Sequence, residues 1–189
     1  MKRIISTLVI TTVALLCAVP ALAQQKKANS TGGNSPHETT GAVIDGNRVT
    51  ITYGRPYTKN PRTGEDRKIW GTLVPYGQPW RMGSDEATTI ITQKGLQFGD
   101  KTIPAGVYTL YMMPSETGTS QLVFSSALGG WGIPVDTKHD VAKVDLTKES
   151  LDTPVDQFTM AVSRNPSGGG VLKLSWEKTQ FSVPFTIAK

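Results

Sequence analysis

Between Tyr53 and Glu86 the chain gathers the side chains best suited to hold an anion. Arg55 and Arg81 bracket an irregular stretch, Tyr53, Tyr57, Tyr76 and Trp80 lie close to them, and Asp85-Glu86 follows directly. A guanidinium offers a planar fork of donors that meets a carboxylate, phosphate or sulfate through two bonds at once. Aromatic rings beside it supply an apolar wall and a face on which a sugar can stack. Tyr53, Arg55, Trp80, Arg81, Asp85 and Glu86 are therefore the candidate ligand-binding residues, for a small anionic or glycan ligand. The competing reading is architectural: Arg55 and Arg81 pair internally with Asp85 or Glu86 and pin the long loop to the rest of the fold.

Catalytic chemistry finds fewer of its parts. The chain has one cysteine, Cys17, and it lies in an N-terminal segment expected to be removed. There is no Gly-x-Ser-x-Gly turn to expose a serine nucleophile. Gly83-Ser84-Asp85-Glu86 sets a serine beside two carboxylates, but adjacency in sequence is not triad geometry. A carboxylate-dependent hydrolase would use Asp85 or Glu86 as general base, or pair one of them with Glu38 across a glycosidic bond. No residue is assigned a catalytic role on these grounds. The two histidines, His37 and His139, have no ligand partner at metal spacing, so neither a metal nor another cofactor is expected. Gly168-Gly169-Gly170 runs into a strand pattern and not into a helix, which removes the usual phosphate-cradling arrangement.

The elements that must position these residues are strands. Val43-Ile44 and Arg48–Tyr53 flank Asp45-Gly46, a pair that tolerates positive φ at both turn positions and so predicts a hairpin. Further short alternating segments follow at 87–92, 96–98, 101–103, 107–113, 121–125, 141–146, 157–162, 171–176 and 181–187, each bounded by turn residues. On the last but one, Trp176 alternates with Leu172 and Leu174 and reads as core. The expected fold is all-β: a single antiparallel β-sandwich, jelly-roll-like or a partly closed barrel, of about ten short strands. No amphipathic helix of useful length appears, which excludes the parallel βαβ folds. One stretch, Gly54 to Gly83, is irregular and long, holding four prolines and two of the four tryptophans, with a short helical turn expected at Lys68-Ile69-Trp70. Loops of that length are functional or disordered, and the aromatic content argues against disorder.

The N-terminus reads as an export signal. Lys2 and Arg3 precede an apolar run from Ile4 to Val19, and Pro20 then leads into Ala21-Leu22-Ala23, which predicts cleavage before Gln24. Lipid attachment at Cys17 is disfavoured because Leu16 stands where a small residue is wanted. Residues 24–34 hold almost no apolar side chains and read as a linker, leaving 35–189 as one β-sandwich domain without cysteine. That size supports a core without disulfides. The expected location is the periplasm or the exterior, with no membrane span once the signal is removed. The formal charge of +5 comes mostly from the first 34 residues, which hold four of the 20 basic side chains and none of the 15 acidic ones. The remaining balance is near zero, so a nucleic-acid partner is not expected. Locally, residues 48–81 carry seven basic side chains against Glu65 and Asp66, whereas 136–156 is acidic.

Seven phrases occur in order along the chain: Ser35-Pro36-His37, Tyr53-Gly54-Arg55-Pro56, Leu73-Val74-Pro75-Tyr76-Gly77, Trp80-Arg81, Glu86-Ala87-Thr88, Pro104-Ala105-Gly106-Val107-Tyr108 and Trp131-Gly132. Together they resemble the exported bacterial family catalogued as domain of unknown function 2911, over roughly residues 35–187. The resemblance implies a fold and an export habit, and it brings no activity or cofactor. Asp85 stands where the family pattern commonly has asparagine, adding a negative charge beside Glu86. The residues thus favour a non-catalytic binding module. A structural or interaction protein without a ligand and a carboxylate-dependent hydrolase are the alternatives.

Overall fold

A computed structural model of the protein describes residues 35–189. The signal peptide expected at 1–23 and the linker expected at 24–34 lie outside the described residues. Nine strands make up the fold: β1 (His37–Ile44), β2 (Asn47–Gly54), β3 (Thr89–Thr92), β4 (Leu96–Phe98), β5 (Lys101–Ile103), β6 (Gly106–Met113), β7 (Ser120–Ser125), β8 (Asp140–Arg164) and β9 (Gly170–Ile187). The only helical element among the described residues is a 3-10 turn at Thr137–His139.

All strands join one antiparallel sheet in the order β1-β2-β3-β6-β7-β8-β9-β4-β5, and the sheet is not closed into a barrel. The sandwich therefore arises by folding one sheet over on itself. β8 does this by changing partners: Asp140–Leu146 pairs with β7, and Thr147–Arg164 pairs with β9. The expected segments 141–146 and 157–162 are thus two ends of one strand, as are 171–176 and 181–187. Hence nine strands stand in place of about ten, and two of them are long. Sequence alternation hides the merger because β9 changes phase within itself. Leu172, Leu174 and Trp176 face the core, then Phe181, Val183 and Phe185 do so. That switch from even to odd positions falls where the register with β8 shifts, at Glu177 with φ 52° opposite Val155, and the additional residues of the shift lie on β8 between Ser150 and Thr159.

The hairpin between β1 and β2 forms as the Asp45-Gly46 pair predicts, with φ of 47° and 74°. One apolar core fills the fold, from Ile51 and Tyr53 on β2 to Phe158 and Met160 on β8 and Leu174 and Trp176 on β9. Ring contacts cross it: Phe98 on β4 lies 5.4 Å from Phe124 on β7, and Trp80 stacks on Trp176 at 5.9 Å. The irregular stretch contributes to this core through Ile69, Val74, Trp80 and Met82. No helical turn forms at Lys68-Ile69-Trp70. The chain there makes a tight reversal in which the Gly71 amide donates to the Val74 carbonyl and the Val74 amide to the Ile69 carbonyl. Trp80 is held by a two-bond bridge to Met112 at 2.8 Å in each direction.

Candidate functional site

The six candidate residues fall into two separate groups. Tyr53 and Arg55 sit where β2 ends, against β8. The Arg55 guanidinium lies 2.7 Å from Glu38 and donates to the Phe158 carbonyl at 3.1 Å and the Thr159 hydroxyl at 2.8 Å. Its own carbonyl accepts from the Gln157 side chain. Arg55 does pair internally, with Glu38 and not with Asp85 or Glu86. Tyr53 is buried, and its hydroxyl donates toward Glu38 while accepting from the Met160 amide at 2.8 Å. Burial, reinforced by the Glu38 carboxylate, raises its pKa to about 12. With their bonds already used inside the protein, these two residues clamp the two layers together.

The second group lies on the irregular segment before β3. Met82, Gly83 and Asp85 have φ of 56°, 148° and 66°. For methionine and aspartate such a conformation costs on the order of 1–2 kcal/mol each, so the surroundings must enforce it. Two contacts do so. The Thr88 hydroxyl donates to the Met82 carbonyl at 2.6 Å, and the Ser84 carbonyl rests on the bare Cα of Gly54. Gly54 pairs with His37 across the β1–β2 hairpin, which brings His37 beside this segment. There its Nε2 approaches Glu86 to 2.8 Å, without the alignment of a hydrogen bond. The Glu86 carboxyl is held below its ordinary range, first by its own backbone amide and then by His37 and Arg81, against the opposing effect of desolvation. A carboxylate made more acidic is a weaker base, which counts against Glu86 as a general base near neutral pH.

Buried polar atoms without partners concentrate here. Both ring nitrogens of His37, the Ser84 hydroxyl and one Asp85 oxygen lack a hydrogen-bond partner among the described residues. Native folds leave few such groups, so four of them on adjoining residues set this segment apart from the rest of the fold. No group of three or more potential metal ligands occurs among the described residues, and His37 and Glu38 alternate on β1.

Arg81 and Trp80 border a cleft of about 350 Å³ that also takes in Arg67, Leu73, Ile133 and Trp176. Arg81 stacks over the Trp131 ring at 5.7 Å and donates to the Trp131 carbonyl at 3.3 Å. Arg67 lies 6.0 Å over the Trp176 ring and donates to the Tyr57 and Thr58 carbonyls. Desolvation lowers the pKa of both guanidiniums, Asp85 and Glu86 acting in the opposite sense on Arg81. Among the described residues neither arginine has a carboxylate within ion-pair distance, in contrast to Arg55. Arg67, Trp176 and Trp131 escape sequence reasoning. Arg67 is one of seven local basic residues, and Trp176 carries the alternation of an ordinary core position, so only folding makes them neighbours of Trp80 and Arg81.

No helix among the described residues is long and apolar enough to cross a membrane. No curated protein and no solved structure matches this chain. Residues 35–185, from the start of β1 nearly to the end of β9, match the family described as Protein of unknown function (DUF2911), and the chain belongs to that family.

Proposed function

We propose that this is an exported, non-catalytic binding protein for a small anionic or glycan ligand, with the ligand held in the cleft between Arg67 and Arg81. One observation carries the reading: two partly desolvated guanidiniums, unpaired with carboxylates among the described residues, border an aromatic-walled cleft of about 350 Å³. That volume lies in the range of small-molecule sites. Of the six candidate residues Trp80 and Arg81 line the cleft, with Gly83 and Ser84 of the strained turn beside them. A ligand that binds only the folded state raises the melting temperature by mass action. Thermal unfolding with millimolar organic anions and sugars is therefore expected to shift Tm upward, and Arg81→Ala to lose the shift while keeping the unliganded Tm. No shift with any member of the panel would end the reading.

Export rests on the charged, apolar and small-residue order of positions 2–23. Protein recovered from the periplasm or medium of an expressing bacterium is expected to begin at Gln24 by mass spectrometry. A full-length chain beginning at Met1 in the cytoplasm would contradict it.

A further inference from the structure

We infer that the ligand of this cleft is an organic anion with an apolar body, and not a neutral sugar; the inference rests on the binding reading above and narrows it. The lining decides the class. Its polar side chains are Arg67, Arg81 and Ser84 alone, and the remainder is three prolines, Leu73, Ile133, Gly83 and two tryptophans. A neutral sugar presents hydroxyls that donate as well as accept, so it needs carboxylate, amide or carbonyl acceptors around it. Two guanidiniums offer donors only, and the Ser84 hydroxyl is the one side chain of the lining that can accept strongly. The cleft is thus matched to acceptor oxygens carrying negative charge, such as a carboxylate, phosphate or sulfate head.

The apolar part follows from what lies exposed beside the arginines. Leu73 and Ile133 line the cleft and are 43% and 52% exposed, and Trp131, stacked on Arg81, is 47% exposed. Single exposed apolar residues are ordinary, but Leu73 and Ile133 line the same cleft as both arginines, and Trp131 stacks on one of them. A ligand body of aryl or alkyl character would cover all three, tightening binding by roughly fourfold for each buried methylene. Asp85 and Glu86 belong to the same segment as Arg81 but do not line the cleft, and Glu86 is turned to His37.

Titration of the residue 24–189 chain at constant ionic strength, followed by tryptophan fluorescence and by calorimetry, tests this with six probes. 2-Naphthoate and octanoate carry charge and apolar body; acetate and inorganic phosphate carry charge alone; 2-naphthamide carries the body alone; glucose carries neither. Naphthoate or octanoate is expected to bind at least tenfold more tightly than the other four. Arg67→Gln and Arg81→Gln are each expected to weaken that binding roughly tenfold or more, as loss of a charge-assisted pair requires. Ile133→Ser is expected to weaken naphthoate or octanoate while leaving phosphate unchanged. Acetate or phosphate binding as tightly as naphthoate and octanoate overturns the apolar body and leaves the anion reading standing. Naphthamide binding as tightly, with the arginine variants unchanged, overturns the anion and leaves the apolar body standing, whereas glucose binding as tightly overturns both. Absence of binding by all six probes to a chain that melts cooperatively also overturns both.

Discussion

Gly54→Ala is expected to destabilise the protein by about 3 kcal/mol, more than any ordinary glycine-to-alanine change in a strand. A Cβ built on Gly54 collides with the Ser84 carbonyl oxygen and comes within 2.9 Å of both the Ser84 carbonyl carbon and hydroxyl oxygen. The obstacle is backbone, so no rotamer change relieves it. Retreat of Ser84 would disturb the positive-φ turn at Met82–Asp85, which Gly83 extends with its own close approach to the Gly54 carbonyl. Retreat of Gly54 would pull β2 from His37 and shift Arg55 away from Phe158 and Thr159. Urea unfolding of the variant should show a lower midpoint with an unchanged slope. Wild-type stability would mean that the 82–86 segment is free to move aside and that its strain is not imposed by β2.

The two arginines that bracket the irregular stretch are expected to behave oppositely. Arg55→Met should cost about 2–4 kcal/mol, because it removes three side-chain bonds and leaves the partly buried Glu38 carboxylate without its cation. The upper end of the usual range for a broken buried pair is not expected, since both side chains keep some exposure, 24% for Arg55 and 32% for Glu38. Arg81→Met should change stability by well under about 1 kcal/mol, as it breaks only a stacking contact and one bond of 3.3 Å to the Trp131 carbonyl. Chemical denaturation of both variants beside wild type is the measurement. Equal losses at the two positions would mean that Arg81 also serves as a fold clamp, and the proposal of a free guanidinium at the cleft would fall with it.

These outcomes differ although Arg55 and Arg81 look alike along the chain. Each follows an aromatic residue by one or two positions, and each belongs to the same basic stretch. Their separation into a clamp and a cleft residue depends on Glu38, Phe158 and Thr159 for one and on Trp131 for the other, partners 17 to 104 residues away. The same holds for His37. Along the chain its adjacent carboxylate is Glu38, yet its neighbour in space is Glu86, because β1 pairs with β2 at Gly54 and Ser84 crosses above that glycine.

The all-β class, the Asp45-Gly46 hairpin and most strand positions were legible from alternation and turn chemistry, because both act over a few residues and leave a period of two in the chain. The core position of Trp176 was legible for the same reason. Tertiary structure alone decided that β8 and β9 run unbroken, since register shifts between Ser150 and Thr159 on β8, opposite Glu177 on β9, make each strand read as two. It also decided which charged groups neutralise each other. Ion pairs and clefts depend on side chains meeting across a folded sheet, and the sequence separation of those side chains carries no trace of it.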